Sequence, residues 1–234
     1  MSNPDAVFAP HSIDELAEGV RATPDGALLI TSGTNSHNVS IAVADRQLVR
    51  LSTSALVGIV RLERADYYVT CRAGMKLAEL YAELAQHGLF VPFLEISATG
   101  TVGGVVATGQ IANGTEWYNI SRWVLALSVV TADGALVKTG AITYKSVAGY
   151  DLPKLFCGSF GTLGVIAEVS LRLYPRGARP YGKDLLPVAQ RIPRLAPLEG
   201  LKPAGDKAGE IARRIKTEFD PRGIFPAISG WNSR

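Results

Sequence analysis

The sequence predicts an α+β fold built as two lobes. Helical and strand-like apolar periods alternate along the first 175 residues. The strand-like runs are short, and three turns rich in Gly, Ser and Thr interrupt them. The elements follow in order.

In the first lobe, Pro10-His11-Ser12-Ile13-Asp14-Glu15-Leu16 opens a helix, with Ser12 as N-cap and Glu15 as its capping-box partner. Ile13, Leu16, Ala17 and Val20 give that helix one apolar face. Ala27–Thr31 reads as an apolar strand running into the polar turn Thr31-Ser32-Gly33-Thr34-Asn35-Ser36-His37. Short strand-like segments follow at Val39–Val43, Leu48–Leu51 and Val57–Leu62. Tyr67–Cys71 reads as a strand and Lys76–His87 as a helix, with Leu77, Leu80, Tyr81 and Leu84 at helical spacing and Gly88 as its stop.

The second lobe begins after Leu89-Phe90-Val91-Pro92. Its first feature is the loop Ser97-Ala98-Thr99-Gly100-Thr101-Val102-Gly103-Gly104, followed by small residues up to Gly109. Trp123–Thr131 and Ala135–Thr139 read as strands, and the Asp133-Gly134 pair between them is a hairpin signal. Asp151–Phe156 reads as a short helix capped by Asp151. The third glycine-rich turn, Gly158–Gly164, feeds a strand over Val165–Tyr174 with Val165, Ala167, Val169, Leu171 and Leu173 in alternation. From Pro175 to Pro203 the chain is rich in Pro, Arg and Gly, with no period long enough for a domain. A last helix, Lys207–Phe219, ends at Asp220-Pro221-Arg222-Gly223, and Ser229–Arg234 reads as a loose tail.

Composition narrows the function classes. With 47% hydrophobic and 19% charged residues the chain is globular, and its net charge of +3 without a basic stripe argues against nucleic acid. Cys71 and Cys157 stand alone, which argues against iron–sulfur or zinc ligation and fits reduced thiols. The N-terminus lacks the features of a signal peptide, and no apolar run reaches membrane-spanning length; a cytoplasmic location is expected.

The three loops point to an anion. Glycines let the backbone approach a ligand closely, successive N–H groups form a nest, and hydroxyls add donors. A pyrophosphate suits such a site, although any one loop taken alone reads more readily as a tight turn. Neither Gly-x-Gly-x-x-Gly after the first strand nor a Gly-Lys-Ser/Thr P-loop is present.

Longer motifs carry a resemblance. They are Leu80-x-x-x-Leu84-x-x-His87-Gly88-Leu89, Thr101-Val102-Gly103-Gly104, Ala132-Asp133-Gly134 before Lys138-Thr139-Gly140, Lys145-Ser146-Val147-Ala148-Gly149-Tyr150-Asp151-Leu152 and Gly158-Ser159-Phe160-Gly161-Thr162-Leu163-Gly164-Val165-Ile166. With the ending Phe219-Asp220-Pro221-x-Gly223-x-Phe225, the chain resembles the vanillyl-alcohol-oxidase or PCMH-type FAD-binding family. Within it, the likeness runs to the FAD-binding E subunit of bacterial glycolate oxidase.

The resemblance implies a PCMH-type FAD-binding domain over 1–175, with α+β subdomains of about 1–90 and 91–175. A Pro-rich linker, 176–205, would replace the substrate-covering cap domain of full-length relatives, and 206–234 would pack back as a C-terminal helix and tail. By position, Thr31, Ser32, Gly33, Thr34, Asn35 and Ser36 would form the pyrophosphate loop, with Gly100, Thr101, Gly103 and Gly104 against it. Thr108, Gly109 and Gly114 would line the ribityl chain and isoalloxazine, and Gly161, Gly164 and Ile166 the adenosine end. No catalytic residue and no metal ligand is assigned.

The chain departs from the family in places. Ile30-Thr31-Ser32-Gly33-Thr34 stands where Arg-Gly-Gly-Gly-Thr is usual, Tyr118-Asn119 replaces Tyr-Gly, and Trp123 replaces the acidic residue after Arg122. His37 does not align with the histidine that attaches flavin covalently in some relatives, and Lys145 reads equally as a flavin partner or a structural residue. The resemblance implies an FAD-binding subunit that relays electrons in a glycolate-oxidase-like complex, beside a sister FAD-containing catalytic subunit and an iron–sulfur subunit. Two other readings stay open: a structural subunit with a degenerate flavin site, and a stand-alone flavin oxidoreductase with an open site.

Overall fold

The computed structural model describes residues 7–33, 45–91, 100–109, 120–142, 151–177 and 206–227. Strands β1 (Val7–Phe8), β2 (Leu28–Ser32) and β3 (Leu48–Ser52) form a parallel sheet in the order β1-β3-β2. Strands β4 (Ile59–Glu63), β5 (Tyr68–Arg72), β7 (Val124–Val130), β8 (Leu136–Gly140) and β9 (Val165–Arg172) form an antiparallel sheet in the order β4-β5-β9-β7-β8. A short ladder joins β6 (Leu89–Phe90) to β10 (Tyr174–Pro175). The helices are α1 (Ile13–Arg21), α2 (Leu77–Gln86), α3 (Val102–Thr108), α4 (Pro153–Phe156) and α5 (Asp206–Phe219). The larger sheet takes strands from both sides of residue 90, because β5 pairs with β9.

Alternation along the strands decides which sheet face is covered. On β5 and β9, Val69, Cys71, Val169 and Leu171 turn to one side, where they join Leu77, Leu80 and Leu84 of α2, Val102, Val105 and Val106 of α3, and Phe156 of α4 in one core. The opposite face is polar, with a Thr70–Ser170 hydroxyl bond of 2.8 Å, a Ser128 hydroxyl donating to Glu168 at 2.8 Å, and an Arg72–Glu168 ion pair at 3.3 Å. A second core lies between the sheets: Leu16, Ala17 and Val20 of α1 meet Leu29, Leu51, Val130, Ala132, Val165 and Ala167.

Caps and turns set the element ends. The Ser12 hydroxyl accepts from the Glu15 N–H at 3.1 Å, and the Glu15 carboxylate accepts from the His11 N–H at 2.8 Å, one residue before the usual capping-box donor. Gly88 follows α2 at φ +67, and Gly134 turns the β7–β8 hairpin at φ +77. Two expectations change. Asp151 does not cap α4; the N-cap position is Leu152, and the Asp151 carboxylate instead pairs with Lys154 at 2.7 Å. Residues 102–108, read as the end of the second glycine-rich loop and the small residues after it, form helix α3. The segments Val39–Val43 and Ser229–Arg234 lie outside the described residues.

Candidate cofactor site

The first loop leaves β2 at the carboxyl end of the parallel sheet. Ser32 pairs with Ser52 on β3, and the chain then reaches Gly33. Two hydroxyls tie down the carbonyls at that exit. Thr53 donates to the Ser32 carbonyl at 3.2 Å, and the Ser52 hydroxyl, which lies 2.8 Å from that of Ser54, approaches the Gly33 carbonyl at 3.5 Å. Both side chains are buried, so they hold the loop from below. These two residues were not singled out from sequence. The signal was the run Ser52-Thr53-Ser54 at a strand end, because hydroxyl residues there often bond local backbone.

The second loop becomes the first turn of α3. Thr101 is its N-cap, and its hydroxyl accepts from the Gly104 N–H at 3.1 Å. The Val102 N–H donates to Met75 O at 2.9 Å and the Gly103 N–H to Ala73 O at 2.8 Å. Three consecutive amides are therefore engaged within the protein. What this turn offers a ligand is close approach more than free donors. Gly103 lies against the protein, since a Cβ there would stand 2.7 Å from the Ala73 Cβ. At Gly104 a Cβ would meet, among the described residues, only the Thr101 hydroxyl within 4 Å, at 3.0 Å.

The third loop is built on the far end of α3. Gly158 N–H donates to Val106 O at 3.0 Å and Phe160 N–H to Ala107 O at 2.7 Å. Gly158, Phe160 and Gly161 all have left-handed φ, of 79°, 53° and 73°. Just before the loop, Cys157 is no thiolate, because burial and then the charge of Asp151 push its thiol up to about 12.

The three loops meet. A Cβ on Gly33 would collide with Thr101, and one on Gly161 would stand 2.8 Å from the Thr31 hydroxyl. A Cβ on Gly109, the left-handed cap of α3, would stand 3.1 Å from the Gly158 Cα. Thr31, Gly33, Thr101, Gly104 and Gly161 are thus brought to one place, with Ser32 and Gly100 beside them in the chain, while Gly109 meets Gly158 at the other end of α3. Thr108 turns its hydroxyl to Gly104 O at 2.9 Å, within its own helix. Gly164 and Ile166 lie against β7: a Cβ on Gly164 would stand 2.6 Å from a Val129 methyl, and Ile166 is buried opposite Val129. Thr34, Asn35, Ser36 and Gly114, as well as His37 and Lys145, lie outside the described residues.

A family model described as an FAD binding domain matches residues 4–140. The chain belongs to this FAD binding domain family. Relatives of this FAD-binding domain include a D-2-hydroxyglutarate dehydrogenase of Xanthomonas citri pv. viticola, 33% identical over 177 residues, covering 73% of the chain and 37% of the relative. The glycolate oxidase subunit GlcE of Escherichia coli is 34% identical over 122 residues, covering 51% of the chain and 35% of the relative. Among solved structures, an alkyldihydroxyacetonephosphate synthase superposes with a TM-score of 0.60 at 21% identity, over 72% of this chain and 31% of that one, which shows the shared fold. The chain spans about a third of the length of the curated relatives it matches.

The site fits the family's cofactor, FAD. Segments 31–33, 100–104 and 158–164 of this FAD-binding domain carry no carboxylate, and the hydroxyls of Thr31, Ser32 and Thr101 are of the kind that would donate to a pyrophosphate. Among the described residues, the side-chain direction of Gly104 meets one hydroxyl within 4 Å, so a flat or extended ligand would have room to lie against the backbone there.

Proposed function

We propose that this FAD-binding domain works as a flavin-carrying subunit of a 2-hydroxy-acid dehydrogenase assembly of the glycolate oxidase type, and relays electrons without binding the hydroxy acid itself. The observation that carries the reading is the short connection from β10 to α5. Only residues 176–205 stand between Pro175 and Asp206, where the family resemblance puts a substrate-covering domain. The similarity to two proteins named as glycolate oxidase subunits, in Bacillus subtilis and Escherichia coli, supports the assembly.

Bound FAD supplies a two-electron acceptor that can release its electrons singly. The chain's own part is to hold the pyrophosphate with Thr31, Ser32 and Thr101, to keep Gly104 bare, and to orient Gly161 beside Thr31. In such an assembly a sister flavoprotein oxidises the 2-hydroxy acid to the 2-oxo acid, and an iron–sulfur subunit takes the two electrons onward. Among the described residues no helix is long and apolar enough to cross a membrane.

A second reading, a structural subunit with a degenerate flavin site, draws on Thr31. Its hydroxyl lies by Gly161 where the family usually has glycine. The absorption spectrum of the purified chain, alone and with added FAD, separates the two. Flavin bands that persist through gel filtration support the relay subunit, and their absence at excess FAD overturns it. Anaerobic mixing of the loaded chain with glycolate or D-lactate is the next step. Bleaching by the chain alone would contradict a relay role and favour a stand-alone oxidoreductase.

A further inference from the structure

We propose that Lys216 is the positioning residue of the Gly158–Gly164 loop, and that through it the C-terminal segment controls how tightly FAD is held. The second half rests on the flavin reading above; the first half stands on geometry alone.

Helix α5 brings this lysine to the loop. Ile215 and Phe219 pack on the main core, and the Phe219 and Phe156 rings meet edge to face at 5.4 Å. Lys216, between them in sequence, keeps only 19% of its side chain exposed. Its ammonium donates to the Thr162 carbonyl at 2.7 Å, to the Phe225 carbonyl at 3.2 Å and to the Asp220 carboxylate. An ammonium has three donors spread about one point, and three acceptors use them, one in the loop and two in the segment after α5. Asp220, whose side chain is fully buried, also accepts from the N–H groups of Ile224 at 2.9 Å and Phe225 at 3.0 Å. The group is closed, and one of its members is the cofactor loop.

The loop needs that anchor. Bonds to Val106 O and Ala107 O hold its start; at its end the Thr162 N–H and hydroxyl donate to Ser159 O at 3.0 and 2.7 Å, which closes a local turn, and the Lys216 bond to the Thr162 carbonyl ties that turn to α5. Between them Phe160 sits at φ 53°, a left-handed conformation that an aromatic residue keeps only when its surroundings enforce it. The next residue, Gly161, is the one that lies against Thr31. Releasing Thr162 frees Phe160 to return to ordinary backbone angles and carries Gly161 away from Thr31, which opens the joint between the first and third loops.

A purely structural role, a salt bridge that closes the tail onto Asp220, makes a different forecast. Arginine would satisfy it, because the charge remains beside the carboxylate. The proposal needs a compact ammonium, since a planar guanidinium fork does not serve three acceptors arranged around a point. The test uses the full-length chain with Lys216→Arg, and with the double variant Lys216→Met, Asp220→Asn, which removes both buried charges together. Hydrogen exchange of the amides of residues 159–163 is measured without cofactor, and FAD affinity by quenching of flavin fluorescence. The expected result is loop exchange faster by about tenfold and an FAD Kd raised by about tenfold in both variants. Exchange in β4 and β5 should stay as in the parent chain. Loop exchange within about twofold of the parent in either folded variant overturns the proposal. Faster loop exchange with unchanged FAD affinity overturns its second half. A parent chain that takes up no FAD sinks the flavin reading alone, and the exchange rates still decide whether Lys216 holds the loop.

Discussion

At Gly103 an added methyl would lie 2.7 Å from the Ala73 Cβ, whereas at Gly104 it would meet, among the described residues, only the Thr101 hydroxyl. These neighbours therefore separate folding from binding. Gly103→Ala should destabilise the chain by about 1–3 kcal/mol in urea denaturation, because the buried contact with Ala73 has no room to give. Gly104→Leu should melt near the parent temperature yet lose FAD uptake, as read from flavin fluorescence; retained uptake would show that the open face of Gly104 is not the cradle. A second prediction concerns Asp133. The Thr131 hydroxyl at 2.6 Å, then the Ala135 N–H at 3.1 Å, hold its carboxyl below the usual range. An acid depressed in the folded state stabilises above its unfolded pKa, and that contribution is lost as pH falls through the folded value, below about pH 4. Asp133→Asn should thus be less stable than the parent at pH 7, with the gap closing in acid; denaturation at both pH values checks the sign. Composition alone picked out the glycine-rich loops. Which glycine faces protein and which faces a ligand depends on Ala73 and Thr101, and no local pattern carries that.

At the scale of elements, α3 is the instructive case. Val102-Gly103-Gly104-Val105-Val106 joins β-branched residues to glycines, all poor helix formers, so its sequence does not read as a helix. It is helical because Thr101 caps it and Ala73 and Met75 take its first N–H groups. Thr101→Ala removes that cap and should cost about 1 kcal/mol or more. It should also loosen the first loop, which Gly33 brings into contact with Thr101, and proteolysis within residues 31–37 should speed up. By contrast α1, α2 and the β7–β8 hairpin were legible, since Ser12, Gly88 and Asp133-Gly134 act within a few residues of themselves. The two-residue strand β1 was not, because it pairs in parallel with Arg50 and Leu51 far along the chain.

At the scale of the molecule, the segment after α5 ties the pieces together. The Arg222 guanidinium donates to Ala132 O at 3.0 Å and to the carbonyl of Thr23, and pairs with Asp25 at 2.9 Å, joining the α1–β2 turn to the tip of the β7–β8 hairpin. Arg222→Ala should lower stability by about 2–3 kcal/mol, mostly through the buried carbonyls left without a donor, and equilibrium denaturation measures it. Nothing periodic marks such a strap. The Asp220-Pro221-Arg222-Gly223 ending shows where the helix stops but not where the arginine reaches. The strap also sets an order of events during synthesis. The Leu29 N–H of β2 donates to Ile224 O at 2.7 Å, and Ile224 and Phe225 complete the core under α1. The parallel sheet is thus synthesised long before its partners Ile224 and Phe225, and β2, with Thr31 and Ser32 at its end, takes its final packing only after they have been made.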